Sequence, residues 1–316
     1  MIIRKYIPGD EDSILELFHI VFKQEMTKHY WNWRFKNNPF SNEIFIYLMW
    51  DEDKLVGHYA LSPVEMNAQG NIVKTALSMT TMTHPEYGGQ GIFSKLASAL
   101  YQDVQENFGY KLIWGFPNNN SHYGFIKNLG WKDAAIIPMM TLELPVKALS
   151  NQQEIKYEVN DSFSSEIISK LNIANSALKI NKTKNYLDWR YLTNPGATYK
   201  ILHLENLEGV VVYKVIKSFD KNTEGFEIDI LELYFDNNIG SLSKIIQAIL
   251  IQERNQTITQ INIWKSIFTS ERIWLEKFGF KVGLPLTYLS YLNLDDFSLA
   301  SDYRNWDVGL GYSDVF

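Results

Sequence analysis

Three glycines in four positions, Gly88-Gly89-Gln90-Gly91, separate an apolar stretch that reads as a strand from a segment whose apolar residues keep helical spacing. Glycines at such a junction let the backbone turn through positive φ and come close to a ligand. The helix start that follows offers unpaired N–H groups and the positive end of its dipole, which together suit a pyrophosphate. The same glycines would also serve a plain strand-to-helix turn that binds nothing. Just upstream, Leu77 and Met79 alternate in register, but the next apolar residue, Met82, is out of phase. A bulge explains the slip and predicts free backbone N–H groups at Met82 or Thr83. Such groups can hydrogen-bond an acyl carbonyl and stabilise the oxyanion formed when an amine attacks it. His84 follows directly and is of the residue type that exchanges protons near neutral pH, although a turn before Pro85 would account for it as well.

These residues need elements to hold them. Residues 2–7 read as a short strand, and Asp10 precedes a helix with Ile14, Leu17, Phe18, Val21 and Phe22 on one face. "EIFIYLMW", "KLVGHYALSPVEM" and "NIVKTALSMTTMT" read as successive strands. After the glycines, Phe93, Leu96, Ala97, Leu100, Tyr101 and Val104 line one side of a helix. "KLIWGF" is a buried strand, "PNNNS" a loop, and "HYGFIKNLG" a helix ended by Gly130. Among 316 residues, 46% hydrophobic and 14% aromatic side chains are ample for one large or two ordinary cores. A net charge of −6 argues against a general nucleic-acid binder. No apolar run is long enough to span a bilayer, and "MIIRKYIPGDED" does not read as a signal peptide. The absence of cysteine removes disulfides and thiolate chemistry and fits a cytoplasmic protein. No His, Asp or Glu cluster has metal-ligand spacing, so no metal is expected.

The order of elements repeats. "HYWNWRFKNNPF" at 29–40 returns as "NYLDWRYLTNPGA" at 185–197, with Trp33-Arg34 and Asn38-Pro39 matched 156 residues later by Trp189-Arg190 and Asn194-Pro195. At an offset of 149, Gly91 falls on Gly240, Ser94-Lys95 on Ser243-Lys244, and Gly130-Trp131 on Gly279-Phe280. Several matches in the same order point to a duplicated lobe, with about seven residues lost between landmarks, most simply from a loop. In the same register Gly88-Gly89-Gln90 become Asn237-Asn238-Ile239, and Pro117-Asn118-Asn119 become Ser266-Ile267-Phe268. The second copy keeps core-type positions and loses those suited to phosphate.

Residues 79–96 resemble motif A of the GCN5-related N-acetyltransferases (the GNAT superfamily), written Arg/Gln-x-x-Gly-x-Gly/Ala, and "LIWGFPNNNSHYGFIKNLGW" resembles the segment that follows it. Here the opening position is Gly88 and the closing one Phe93, so a side-chain contact to the loop is missing. The resemblance implies an α/β (α+β) fold with a mixed, mostly antiparallel twisted sheet, in which a central strand splays from its neighbour and pantetheine enters the V. Coenzyme A pyrophosphate would lie on amides from Gly89, Gln90, Gly91, Ile92, Phe93 and Ser94, with Asn119 contributing from the next loop. In the family a tyrosine four residues before the helix-ending glycine commonly donates a proton to the departing thiolate. That position is Ile126, so Tyr123 is the substitute, with His84 as base and His122 a weaker candidate. The region between the first two strands commonly forms the acceptor wall, which makes Trp31, Trp33 and Arg34 substrate-binding candidates. Recurrence of the motif in the second lobe favours a structural role for Trp33 and Arg34 and leaves Trp31 the better acceptor contact.

The expectation is therefore a catalytic domain at 1–146, a degenerate GNAT-like domain at 147–300 and a tail at 301–316 that packs back and brings Asp314 near the acceptor. The activity expected is transfer of an acyl group, most simply acetyl from acetyl-CoA, to the amine of a small metabolite such as an amino sugar or its nucleotide conjugate. Transfer of a longer acyl or aminoacyl group and a non-catalytic ligand-binding module are the alternatives. Neither nucleic acid nor membrane is an expected partner, and the chain is expected as a monomer or homodimer.

Overall fold

The structure, a computed structural model, describes residues 1–145, 154–174, 176–218 and 224–313. Two compact units emerge: Met1–Ala135 with Thr193–Gly196 and Tyr288–Tyr303, and Ile136–Leu192 with Ala197–Thr287 and Arg304–Phe316.

In the first unit β1 (Ile2–Lys5), β2 (Phe45–Asp51), β3 (Lys54–Ala68) and β4 (Asn71–Thr83) form an antiparallel series. Helices α1 (Glu11–Phe22) and α2 (Lys28–Trp31) precede β2, and α3 (Ile92–Phe108) crosses from β4 to the parallel strand β5 (Leu112–Gly115). Along α3 the residues Ile92, Leu96, Leu100 and Val104 are fully buried against Val56, Tyr59 and Leu61 of β3. Their helical spacing makes one stripe, and each such side chain contributes about 1.5–3 kcal/mol when enclosed. After β5 come α4 (Asn119–Tyr123) and a π-helical turn at Gly124–Asn128.

The second unit takes most of β6 (Lys132–Glu143) and continues with β7 (Tyr157–Asn160), α5 (Ser165–Leu171), β8 (Leu178–Ile180) and α6 (Lys184–Leu187). Strands β9 (Lys200–Leu204), β10 (Gly209–Lys217) and β11 (Phe226–Phe235) are antiparallel. Helix α7 (Ile239–Gln252) then crosses to β12 (Ile258–Ile263), which runs parallel to β11. Helix α8 (Ser270–Phe278) leads to β13 (Lys281–Asn293).

Each unit thus has an antiparallel series, one parallel step bridged by a helix, and a closing antiparallel strand. The closing strands are exchanged. β6, which follows the first copy in sequence, pairs with β12 through Met140–Glu143, whereas Ser290–Asn293 of β13 pair with β5. The compact units therefore do not follow the boundaries expected at 146 and 300. Strand edges bind through backbone groups that any sequence supplies, so the hydrophobic pattern could place both strands but not choose their neighbours.

The two copies of the aromatic motif take the same local structure. Thr27 accepts a hydrogen bond from Tyr30 N at 3.1 Å, and Thr183 accepts one from Tyr186 N at 3.2 Å, each opening a four-residue helix. Both helices pass into π-helical turns, Asn32–Lys36 and Asp188–Leu192. Asn38 then bonds Ser62 Oγ and Pro63 O, both at 3.0 Å, tying the turn to β3.

Candidate active site

The parallel pairing of β4 with β5 ends at Leu77 and Trp114. At the next row Gly115 lies so close to Ser78 that a Cβ on the glycine would stand 3.3 Å from Ser78 O. Beyond this row β4 continues to Thr83 without β5 beside it, the position of the V that the family resemblance implies. On the other side of β5, Gly115 pairs with Ser290 of β13. Ser78, Gly115 and Ser290 therefore mark the row at which the V opens.

The bulge lies where the phase slip places it, between Met79 and Met82. Met79 faces Ala60 and Met82 faces His58, so Thr80 and Thr81 together oppose Tyr59. Thr80 carries the strain, with φ of 49°. His58 explains why it stays there: its Nδ1, fully buried, donates to Thr80 O at 2.8 Å. Burial pushes the imidazole down to about 4, so the ring is neutral at physiological pH. Met82 and Thr83 are back in register. His84 N donates to Val56 O at 2.9 Å, and alternation then commits Met82 N–H to β3 and turns Thr83 N–H toward the side vacated by β5. Of the two expected acyl contacts, Thr83 keeps its amide available and Met82 supplies core, with 1% of its surface exposed.

The glycine loop adopts the required conformation. Gly89 and Gly91 have φ of 76° and 70°, and Gly91 is the last residue before α3. No side chain caps this helix, and its first i→i−4 bond runs from Lys95 N to Gly91 O at 3.0 Å. The amides of Ile92, Phe93 and Ser94 are thus left for a ligand, preceded by Gly89 and Gln90 in the loop. The side chains of Ile92 and Phe93 point into the core. Phe93 meets Phe125 at 4.9 Å between centroids, and a Cβ on Gly124 would lie 3.0 Å from its ring. Glycine at 124 makes the room that phenylalanine takes at the motif's closing position. The second lobe contrasts sharply. Asn238 caps α7 by accepting from Ser241 N at 2.9 Å, placing a side-chain oxygen where an anion would have to sit.

Under the V lies a buried line of hydroxyls. Ser78 Oγ and Tyr59 OH are 2.7 Å apart, Tyr59 OH and Tyr101 OH are 2.7 Å apart, and Trp131 Nε1 donates to Tyr101 OH at 3.1 Å. Burial raises both phenols, which keeps the line neutral.

Tyr123 projects from α4 with 68% of its surface exposed, and Asn119 is an exposed first residue of that helix. It is Asn118 that caps α4, accepting from Asn120 N and Ser121 N at 3.0 Å. His84 is largely enclosed; its Nδ1 accepts from Glu86 N at 3.3 Å, and it borders a hollow with Glu16, Asp51 and Lys54. Tyr123 and His84 are not brought together by any contact among the described residues.

The aromatic motif requires a correction. Trp31 is completely buried, its ring 5.3 Å from Tyr6 and 5.5 Å from Phe35, with Lys36 Nζ above it at 5.2 Å. Trp33 exposes 2%. Neither presents a face to an acceptor, and Trp31 is core rather than the preferred substrate contact. Arg34 is also buried, with Nε 3.3 Å from Met79 Sδ, beside β4 one residue before the bulge. Its counterpart Arg190 donates to Gly311 O at 3.3 Å and Ser313 O at 3.1 Å, holding the chain's last described residues within the second unit. Asp314 lies outside the described residues.

One constellation was underrated by the sequence. His122 Nε2 lies 2.9 and 3.0 Å from the two carboxylate oxygens of Asp133, and its ring stacks on Tyr288 at 3.9 Å and 16°. Ser290 Oγ donates to Asp133 Oδ1 at 2.6 Å. Residues 122, 133 and 288–290 are too far apart in sequence for spacing to reveal this group.

Comparisons with known proteins agree with this geometry. Residues 2–134 match the model of the family described as "Acetyltransferase (GNAT) domain". No curated protein matches the chain at the sequence level. A GCN5-related N-acetyltransferase from Anabaena variabilis superposes with a TM-score of 0.70 at 13% identity, covering 93% of this chain and 73% of that one. Saccharomyces cerevisiae N-myristoyltransferase with bound myristoyl-CoA gives 0.60 at 11%, covering 92% and 78%. Eis1 from Mycobacterium abscessus gives 0.60 at 12%, covering 93% and 73%. At these identities the structures speak for the fold. The chain thus carries a stretch matching a GNAT acetyltransferase domain at residues 2–134 and shares the fold of these structures over most of its length.

Proposed function

We propose that the protein transfers an acyl group from coenzyme A to a primary amine of a small molecule by direct attack, with acetyl-CoA the simplest donor. The contrast between the two crossing helices carries this reading: α3 begins uncapped behind two positive-φ glycines, whereas α7 is sealed by Asn238. Amides from Gly89 to Ser94 take the pyrophosphate, pantetheine lies in the V beyond Leu77, and Thr83 N–H receives the acyl oxygen. Arg34, beside Met79, borders the acyl end of the V, and Tyr123 stands as proton donor to the departing thiolate. The second lobe holds its duplicated frame without binding coenzyme A.

Thermal unfolding with coenzyme A, acetyl-CoA, myristoyl-CoA and ATP tests this. At about a hundred times Kd, a ligand of the native state adds roughly 2.7 kcal/mol of stability. Stabilisation by coenzyme A species and not by ATP is expected, and the ranking of acetyl against myristoyl reports the acyl group accepted. Failure of every coenzyme A species to stabilise the fold would sink the proposal.

A further inference from the structure

We propose that His122 is the general base of the first lobe, oriented by Asp133 and by two residues of the exchanged strand, Tyr288 and Ser290. The proposal rests on the acyltransferase reading above and assigns that reaction a proton acceptor.

An ionised carboxylate can only accept hydrogen bonds. Asp133, 2.9 and 3.0 Å from Nε2, therefore fixes the proton of the neutral imidazole on Nε2 and leaves the lone pair on Nδ1. Nδ1 makes no hydrogen bond among the described residues, and 21% of the side chain's surface is open. Tyr288 stacks flat on the ring and removes its freedom to rotate. Ser290 is fully buried, holds Asp133 Oδ1 at 2.6 Å, and pairs with Gly115 on the row where β4 and β5 part. Ser290, which holds the dyad, thus lies one strand spacing, roughly 4.8 Å, from the strand that forms one wall of the V. Gly124 and Phe125, just beyond His122, pack on Phe93 in the first turn of α3, which joins this segment to the proposed pyrophosphate loop.

The other candidates lack this arrangement. His84 spends Nδ1 on Glu86 N and borders the hollow beside α1, and Tyr123 is an exposed phenol suited to giving a proton rather than taking one. In the step assigned to His122, the amine nitrogen's lone pair forms a bond to the thioester carbonyl carbon. The carbon–sulfur bond breaks with its electron pair leaving on sulfur, and the proton shed by nitrogen passes to Nδ1. The thiolate takes its proton from Tyr123, which recovers one from solvent as His122 returns its own there. With β13 supplying Tyr288 and Ser290, the second half of the chain completes the first lobe's catalytic site.

The test needs no identified acceptor, because the same base acts on water in the slow hydrolysis of bound acetyl-CoA to acetate and coenzyme A. Thiol release is measured for wild type, His122→Gln and Asp133→Asn over pH 5–9, alongside the thermal shift given by coenzyme A. A loss of about 100-fold is expected for His122→Gln with the coenzyme A shift intact. Asp133→Asn should lose activity too, since an amide can donate to Nε2 and move the ring proton to Nδ1. A second readout is modification of His122 by diethylpyrocarbonate, which acetyl-CoA should slow. If coenzyme A stabilises all three proteins, yet hydrolysis is equal and His122 is modified at the same rate with acetyl-CoA present, the assignment is overturned. Loss of the shift in wild type would instead count against the acyltransferase reading itself.

Discussion

His58 shows how one buried residue shapes the site. Its donation to Thr80 O holds a threonine at positive φ, and that kink returns Thr83 to the phase in which its amide faces the V. The cost appears as pH dependence. The folded value, about 4, lies below the ordinary 6.5, so as pH falls the unfolded chain takes up a proton before the native one. Stability from this group is complete above about pH 6.5 and is lost progressively toward pH 4. Between pH 7 and pH 5 the loss is about 2 kcal/mol. Urea unfolding at the two pH values should show it in wild type, and His58→Phe, which has no proton to bind, should show a smaller drop. Equal drops in both proteins would place the acid sensitivity elsewhere. Glycine at 91 was readable from the sequence because positive φ excludes most side chains, and the phase slip between Met79 and Met82 marked the bulge; that a histidine more than twenty residues away holds it was not readable.

At the scale of elements, the starts of α3 and α7 are the same structural position used in two ways. Asn238→Ala should lower stability by about 1 kcal/mol, the ordinary worth of an N-cap, and leave coenzyme A binding as it is. Gly91→Trp should abolish the thermal shift by coenzyme A, since the side chain enters the loop at φ 70°. Calorimetric titration separates the outcomes, and a coenzyme A site that depends on Asn238 rather than Gly91 would reverse the roles of the two lobes. The aromatic motif belongs to this scale as well. Both copies form a threonine-capped helical turn running into a π-helix, and this explains why Trp-Arg and Asn-Pro recur where the glycines do not. Sequence recurrence pointed to a structural role for Trp33 and Asn38. It misjudged Trp31, whose lack of an aromatic counterpart reflects a different core neighbour, Tyr6, rather than a ligand.

At the scale of the molecule, the tail of the second unit packs where β11 has parted from β12. Gly311 sits against Leu231 O and Glu232, and Trp306 bridges to Leu178 of β8. A buried charge cluster fixes it: Lys182 Nζ lies 2.7 Å from Glu232 and 3.8 Å from Asp307, and Asp307 also accepts from Tyr312 OH at 2.5 Å. Although burial opposes the charge, the two carboxylates raise Lys182 above its ordinary value and keep it protonated. Lys182→Met leaves Glu232 without its cation, while Lys265 stays 4.0 Å from Asp307, and should cost about 3–5 kcal/mol, measured by chemical denaturation, whereas a surface lysine such as Lys281 replaced in the same way should cost almost nothing. A small cost for Lys182→Met would show that the cluster does not hold the tail.

The sequence by itself determined the duplicated frame, the amphipathic helices and the glycine loop, because side-chain periodicity and the steric demand of positive φ are local properties. It also showed which copy kept its loop. Only the tertiary structure decided that β6 and β13 change places, since backbone edges carry no address. That exchange sets Tyr288 and Ser290 beside His122 and Asp133, a grouping made by strand pairing across more than 150 residues and invisible to any spacing rule.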